Sequence, residues 1–327
     1  MSGMDLLNVY HLQIITFMAV NSILALSFYL PLSAGQLSLG CAGFMSIGAY
    51  TAAILSLHYG MPVFTTIPAG AAAAALAGVL LGFPALRLTG VYLAIATLGF
   101  GEVVRVLFLN LKITNGALGM PEIPNLNDYF SALYRSWGLQ GGLAGLDLPR
   151  LAALTTVVFC YFVLAACVAF VLRQENSRTG RAMAAVKADE VASGVMGIGA
   201  TYIKMLAFVQ GAFLAGLAGA ISAHVTNFIA PGDFNYHRAV NILLFVVLGG
   251  SELVWGGLLG AAVLSVLPEF LRFMQDFRWI IFGALLAAMM VFRPQGLIDR
   301  QLLCRFSLRK KPGMDGMDAR SSSGEVD

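Results

Sequence analysis

Long apolar segments follow one another along almost the whole chain, and only short polar stretches separate them. About 20 apolar residues are needed for an α-helix to cross a bilayer, so the pattern predicts an all-α, polytopic transmembrane helical bundle. We expect about nine spans, with eight or ten as the alternatives. The predicted spans are residues 11–30, 37–57, 63–83, 91–107, 151–172, 205–223, 239–250, 254–270 and 279–292.

The segment 239–250 is the shortest of these runs. It is too short to cross a bilayer as a straight helix, because each residue adds only about 1.5 Å. A tilted, re-entrant or broken helix shielded by its neighbours would satisfy its backbone.

Glycine and alanine recur at close spacing in several spans, as in 70–77, 211–219 and 256–262. Small residues allow helix backbones to approach closely in lipid. The pattern therefore predicts tight helix packing at these places.

The composition fits this topology, with 58% hydrophobic and 11% charged residues. A mean hydropathy of +0.80 marks an integral membrane protein, and the length leaves no room for a large soluble catalytic domain. The net charge is only +3, and its excess lies in flanks of the spans, which excludes nucleic acid as a partner.

Lysine and arginine concentrate in the polar segment 173–204 and after residue 292. The positive-inside rule then predicts an N-out, C-in orientation, with Arg105 and Arg238 among the charges on the outer side. We expect a permease domain over residues 1–311, an external loop over 108–150 and a disordered cytoplasmic tail over 312–327.

The chain has no phosphate-binding P-loop, no H-E-x-x-H and no C-x-x-C, and its four histidines lack metal-ligand spacing. We predict no catalytic residue, no metal site and no cofactor bound by this chain. Active transport would therefore need an ion gradient or an ATPase on another chain.

The segment 173–204 carries helix signals between two spans. Ser177 or Thr179 can cap a helix, and Gly194 and Gly197 can end it. One short exposed amphipathic helix is predicted, which could dock into a groove of a soluble partner. A solvated loop is the alternative.

Within this segment, Ala192-Ser193 followed by Gly197 resembles the coupling loop of ABC-importer permeases, although Val191 stands where that loop usually has an acid. Further stretches at 33–50, 86–119, 231–261 and 292–298 resemble LivM-type permeases of branched-chain amino-acid ABC importers. The resemblance covers most of the chain.

The resemblance implies a multi-pass protein of the bacterial inner membrane that forms half of a transport pathway. Its implied partners are a second, LivH-type permease, two cytoplasmic ATPase subunits that hydrolyse ATP with Mg²⁺, an extracytoplasmic substrate-binding protein, and membrane lipid. It also implies an ATPase-coupling role for Arg178, Gly180, Arg181, Ala182, Lys187, Asp189, Glu190, Ala192, Ser193 and Gly197.

Polar and glycine residues at membrane depth should face protein or a water-filled route, because lipid offers them no partner. We expect pathway lining from Gly35, Gln36, Ser38, Gly40, Ser46, Thr97 and Glu102. Hydrogen bonding between helices is the competing explanation for their polar groups. Glu102 and Arg105 are spaced to pair on one helix face.

Other functions remain as alternatives. Related permeases serve urea, amides and other small metabolites, and the sequence does not choose among these substrates. An ion-coupled secondary transporter should carry acidic residues or histidine near mid-membrane, and the spans have few acidic residues away from their ends. A non-transporting scaffold would not bind ATPase subunits.

Overall fold

The computed structural model describes residues 9–136, 147–270 and 283. Within these residues the regular elements are helices. They are α1 (Val9–Ser33), α2 (Cys41–Tyr59), α3 (Val63–Ala85), α4 (Val91–Asn110), α5 (Leu126–Ser136), α6 (Leu148–Glu175), α7 (Arg178–Ala188), α8 (Glu190–Val195), α9 (Ala200–Thr226), α10 (Tyr236–Gly249) and α11 (Val254–Phe270).

Six of these helices, α1, α2, α3, α4, α6 and α9, are long and apolar enough to cross a membrane. Helices α10 and α11 are apolar but shorter. The expected span 239–250 is thus part of a helix of only 14 residues, and the expected span 279–292 lies outside the described residues. The predicted span 37–57 was wrong at its start, because α2 begins only at Cys41.

Helices α2, α3 and α9 form a central core in which backbones touch. A side chain at Gly48 would overlap the backbone of Gly216, and one at Gly70 would overlap the carbonyl of Gly48. Gly219 likewise lies against the backbone of Met45. The small-residue pattern therefore marks the tightest packing, as predicted for 211–219.

Helix α1 packs against α9 of this core. Gly211 of α9 lies against the carbonyl of Ser27 and the ring of Pro31. On its other sides α1 contacts α6, α10 and α11. Helix α6 is peripheral, since only 22% of its 18-residue apolar stretch is buried, against 72% of the corresponding stretch of α1.

The bundle has two ends, which we call the α7 end, where α1 finishes at Ser33, and the far end, where α1 starts. At the far end, His224 of α9 is fully buried. Its Nε2 lies 2.8 Å from Thr66 Oγ1, and its Nδ1 lies 2.9 Å from the carbonyl of Pro124. These contacts, with a bridge between Met120 and Ile229, fasten the loop before α5 to α3 and α9.

Helix α10 starts halfway through the bundle. Arg238, in its first turn, donates from Nη2 to Asn21 Oδ1 at 3.1 Å. Asn21 is the middle residue of the 25 in α1, about 18 Å from either end. The 14 residues of α10 span about 21 Å and bring the following turn, Ser251–Leu253, to the level of Ser33. Arg238 was expected at an outer flank but lies halfway along the length of α1. The reason is that residues 227–235 run from the far end into the bundle before α10 begins.

Candidate functional site

The chain between α1 and α2 is a break in helical structure inside the bundle. Gly35 adopts a φ of +77°, a conformation that favours glycine, and residues 36–39 have no regular secondary structure. The backbone N–H of Leu39 donates to Thr97 Oγ1 at 2.9 Å, which ties the break to α4. A side chain at Gly40 would also meet Thr97.

The break carries polar groups that the protein leaves unpaired. Gln36 is 3% exposed, and neither amide atom of its side chain has a hydrogen-bond partner among the described residues. The same holds for the hydroxyls of Ser46 and Tyr50 on α2, which are one helical turn apart and share a face. Such groups are costly to bury, so they point to a site that water or a polar ligand enters.

The expected pathway residues fall into two groups. Gly35, Gln36, Ser38 and Gly40 lie in the break, where Gly40 meets Thr97 of α4. The second group lies outside the break and consists of Ser46 on α2 and Glu102, which is further along α4 than Thr97.

Glu102 makes two contacts that fix its carboxylate. Its Oε2 accepts from Arg105 Nε at 2.7 Å, so the predicted pairing on one helix face is confirmed. Its Oε1 accepts from the backbone N–H of Tyr236 at 3.2 Å. Glu102 therefore holds the mid-depth start of α10 against α4.

The polar segment 173–204 forms two helices, so the single predicted helix was wrong. Ser177 caps α7 by accepting from the N–H of Gly180 at 3.2 Å, as expected. Asp189 then leaves the helical conformation, and its Oδ1 accepts from the N–H groups of Val191 and Ala192 at 2.9 and 3.0 Å. An aspartate whose side chain caps a new helix competes with continuation of the preceding helix, which explains why α7 ends and α8 begins here.

Several other predicted coupling residues make contacts within this chain. Arg181 Nη1 donates to the carbonyl of Asn176 at 3.2 Å, and Glu190 pairs with Lys204 at 2.5 Å. Ser193 is buried, and its hydroxyl donates to the carbonyl of Glu190 at 2.8 Å. Gly180 fits against the backbone at the end of α6.

The remaining coupling residues are placed as follows. Arg178 begins α7 and is exposed, Ala182 packs against the cluster formed by α7 and α9, and Gly197 follows α8 with a φ of +81° and open space around it.

Helix α7 packs directly under the break. Ala34, Met183, Val186, Ile203 and Ala207 form one buried apolar cluster. A Cβ built on Gly35 would lie 3.3 Å from the Cα of Lys187. The predicted coupling segment and the predicted pathway segment are thus in contact, although about 150 residues separate them in sequence.

The tip of this region presents apolar side chains away from the bundle. Val191, Val195 and Met196 are 79%, 84% and 82% exposed, and Tyr202 is 67% exposed. Sequence reasoning treated Val191 only as a departure from a motif and missed Val195 and Met196. Their signal was the spacing of Val191 and Val195 by one helical turn at a predicted surface.

A cavity of about 520 Å³ opens at the α7 end, between α1, α6, α7 and the turn after α10. Tyr29, whose hydroxyl bonds to Glu175, lines it together with Lys187 and Glu252. Within the described residues, no group of three side chains is arranged to hold a metal ion.

Comparison with known proteins gives a consistent result. Residues 10–293 match the family described as "Branched-chain amino acid transport system / permease component". The chain is 37% identical over 94% of its length to a protein of Escherichia coli and 36% identical over 95% to one of Salmonella typhimurium, and it covers 72% of each. Both relatives are named high-affinity branched-chain amino acid transport system permease protein LivM.

A third relative, the permease protein BraD of a high-affinity branched-chain amino acid transport system in Pseudomonas aeruginosa, is 31% identical over 38% of this chain and 41% of its own. No solved structure matches the chain significantly. The family match and the six long apolar helices make this a multi-pass inner-membrane protein. The chain belongs to the family of permease components of branched-chain amino acid transport systems.

Proposed function

We propose that this permease forms half of the transmembrane pathway of an ABC importer and is moved by ATPase subunits that dock at α8. The observation that carries the proposal is the contact of α7 with the break between α1 and α2, where Lys187 lies under Gly35. A partner bound at α8 would act on the break through one rigid helix and a shared apolar cluster.

The docking contact that we propose is the apolar tip formed by Val191, Val195 and Met196. Three large apolar side chains exposed outside the membrane helices favour burial in a protein groove. In this arrangement Asp189, Ala192, Ser193 and Gly197 shape the tip. Gly180, Arg181, Ala182, Lys187 and Glu190 hold it on the bundle, and Arg178 would stay exposed at the start of α7.

We propose nine crossings with the α7 end in the cytoplasm. The descending segment 227–235 and α10 together make one crossing, so the described part supplies eight, and 279–292 would supply the ninth. The permease domain is then residues 1–311, with 173–204 cytoplasmic, 108–150 external and 312–327 a cytoplasmic tail. Helix α4 extends to Asn110 and α6 begins at Leu148, which shortens the non-helical part of the external loop.

The substrate that we propose is a branched-chain amino acid, because the relatives are named for that transport. A second, LivH-type permease would complete the pathway, and an extracytoplasmic binding protein would deliver the substrate. ATP and Mg²⁺ would bind only to the two ATPase subunits. Gln36, Ser38, Ser46, Thr97 and Glu102, with Gly35 and Gly40, would line the open route. The unpaired Gln36 amide would then meet water or substrate.

The test is reconstitution of the complex with the Val195→Asp variant. A buried aspartate would oppose docking, so we expect the ATPase subunits to be lost on purification and uptake to fall to background. The conservative Val195→Ile should keep both. Normal ATPase association and uptake with Val195→Asp would contradict docking at the tip.

Substrate choice has its own measurement. A strain that lacks the gene should lose uptake of labelled leucine and regain it when the gene is restored. Unimpaired leucine uptake with loss of urea uptake would overturn the substrate but leave the docking intact.

A further inference from the structure

We propose that one side of the chain, the α4–α10 face, packs against the second permease. The face is formed by Ile95, Gly99, Glu102 and Val103 of α4 with Tyr236 of α10. The proposal rests on the proposed function, since it requires a second permease.

Charged groups lie part-exposed on this face at mid-membrane depth. Glu102 is the twelfth of 20 residues in α4, about 16 Å from its start. Its side chain is 33% exposed and that of Arg105 is 29% exposed. Asp233, just before α10, and Tyr236 are also exposed. Lipid offers these groups no hydrogen-bond partner, so protein or water must cover them.

Unpaired polar groups lie behind the same face. The ring of Tyr50 stacks on that of Phe108 of α4, with the ring centroids 4.2 Å apart. The ring centroid of Phe234, just before α10, lies 6.0 Å from that of Tyr50. The Tyr50 side chain is fully buried and its hydroxyl has no partner within the described residues. The seam between α2, α4 and the start of α10 therefore already holds a polar group that needs water or a ligand.

The exposed surface of α6 carries no such charged groups. Val158 and Phe162 are 66% and 72% exposed, and residues 151–172 contain no charged side chain. An apolar helix of this kind is suited to lipid. The contrast selects the α4–α10 face for protein contact.

The shape of α4 fits a helix partner. Gly99 has nothing within 4 Å of the position a Cβ would take. Ile95 and Val103, one turn before and after it, are 64% and 65% exposed. The result is a notch between two apolar side chains, into which a side chain of a partner helix can fit.

The experiment places the photo-crosslinking residue p-benzoylphenylalanine at single positions in the assembled complex. Val103 is the test position, and Val158 is the control with matched exposure. We expect an adduct with the second permease from position 103 and none from position 158. Ile95 and Phe162 form a second matched pair with the same expected difference.

Two failures can be told apart. If the complex co-purifies but adducts form from 158 or from neither position, the assignment of this face is wrong while the proposed function stands. If no second permease co-purifies with the unaltered chain, the proposed function fails and the face assignment fails with it.

Discussion

Arg238 and Asn21 are joined by a hydrogen bond of 3.1 Å at the midpoint of α1, far from either end of the bundle. Asn21 in turn donates from Nδ2 to Ser265 Oγ at 2.9 Å, so the amide links α1, α10 and α11. A guanidinium at this depth needs an internal acceptor, because lipid provides none.

Replacing Asn21 with leucine removes that acceptor. We expect the Asn21→Leu variant to lose about 1–3 kcal/mol of stability, since a buried donor is left unpaired. Thermal unfolding in detergent measures the loss. The double variant with Arg238→Met should lose less than the sum of the two single variants. Strictly additive losses would show that the bond does not couple the helices.

Gly35→Ala tests the contact between the break and α7. At a φ of +77° alanine is strained by about 1–2 kcal/mol, and its Cβ would also press on the Cα of Lys187. Gly60→Ala is the matched control, because Gly60 has a φ of +62° and open space around it. We expect a stability loss in both variants, larger for Gly35→Ala because of the added contact, but reduced ATP-driven uptake only for Gly35→Ala. Equal uptake in both variants would contradict transmission through this contact.

Asp189 can be tested as the cap of α8. Asp189→Ala removes the acceptor for two backbone N–H groups and should cost about 1 kcal/mol of local helix stability. Asp189→Asn keeps a capping side chain and serves as the control. We expect weaker ATPase association and slower uptake for Asp189→Ala alone. Two variants that fail equally would instead indicate that the charge, and not the cap, is needed.

The glycine contacts in the core predict a large stability effect. Gly216→Ala would place a methyl group against Ala74 and the backbone of α3, and overpacking of this kind costs about 1–3 kcal/mol. Gly99→Ala meets no atom and should fold as the unaltered chain does. Yield and thermal midpoint of the chain purified alone compare the two. A tolerated Gly216→Ala would mean that the core backbones can separate.

Much of the helical layout could be predicted, because a long apolar run and its length together define a crossing. The break at residues 34–40 could not, since Leu37 and Leu39 continue the apolar pattern and only Gly35 and Gly40 hint at an end. Periodicity also gives the length of α10 but not its depth. That depth is set by contacts of Arg238 and Tyr236 with residues more than 100 positions away.

The candidate site divides in the same way. The position of the coupling segment between two spans could be predicted from the sequence, and so could the helix cap at Ser177. The cap at Asp189 was not, because an aspartate within a charged stretch looks the same whether its side chain faces solvent or a backbone N–H. The polar residues of the break were identified, but their burial against α4 and α7 depends on the assembled bundle.

The direct backbone contacts among α2, α3 and α9 have a mechanical consequence. Where Gly48, Gly70 and Gly216 touch, there are no side chains whose rotamers could change to absorb a displacement. These three helices can tilt or shift only as a single rigid block. Work delivered at α7 must therefore appear as movement at the borders of that block, where α4 is attached to α2 by contacts such as the stack of Tyr50 on Phe108.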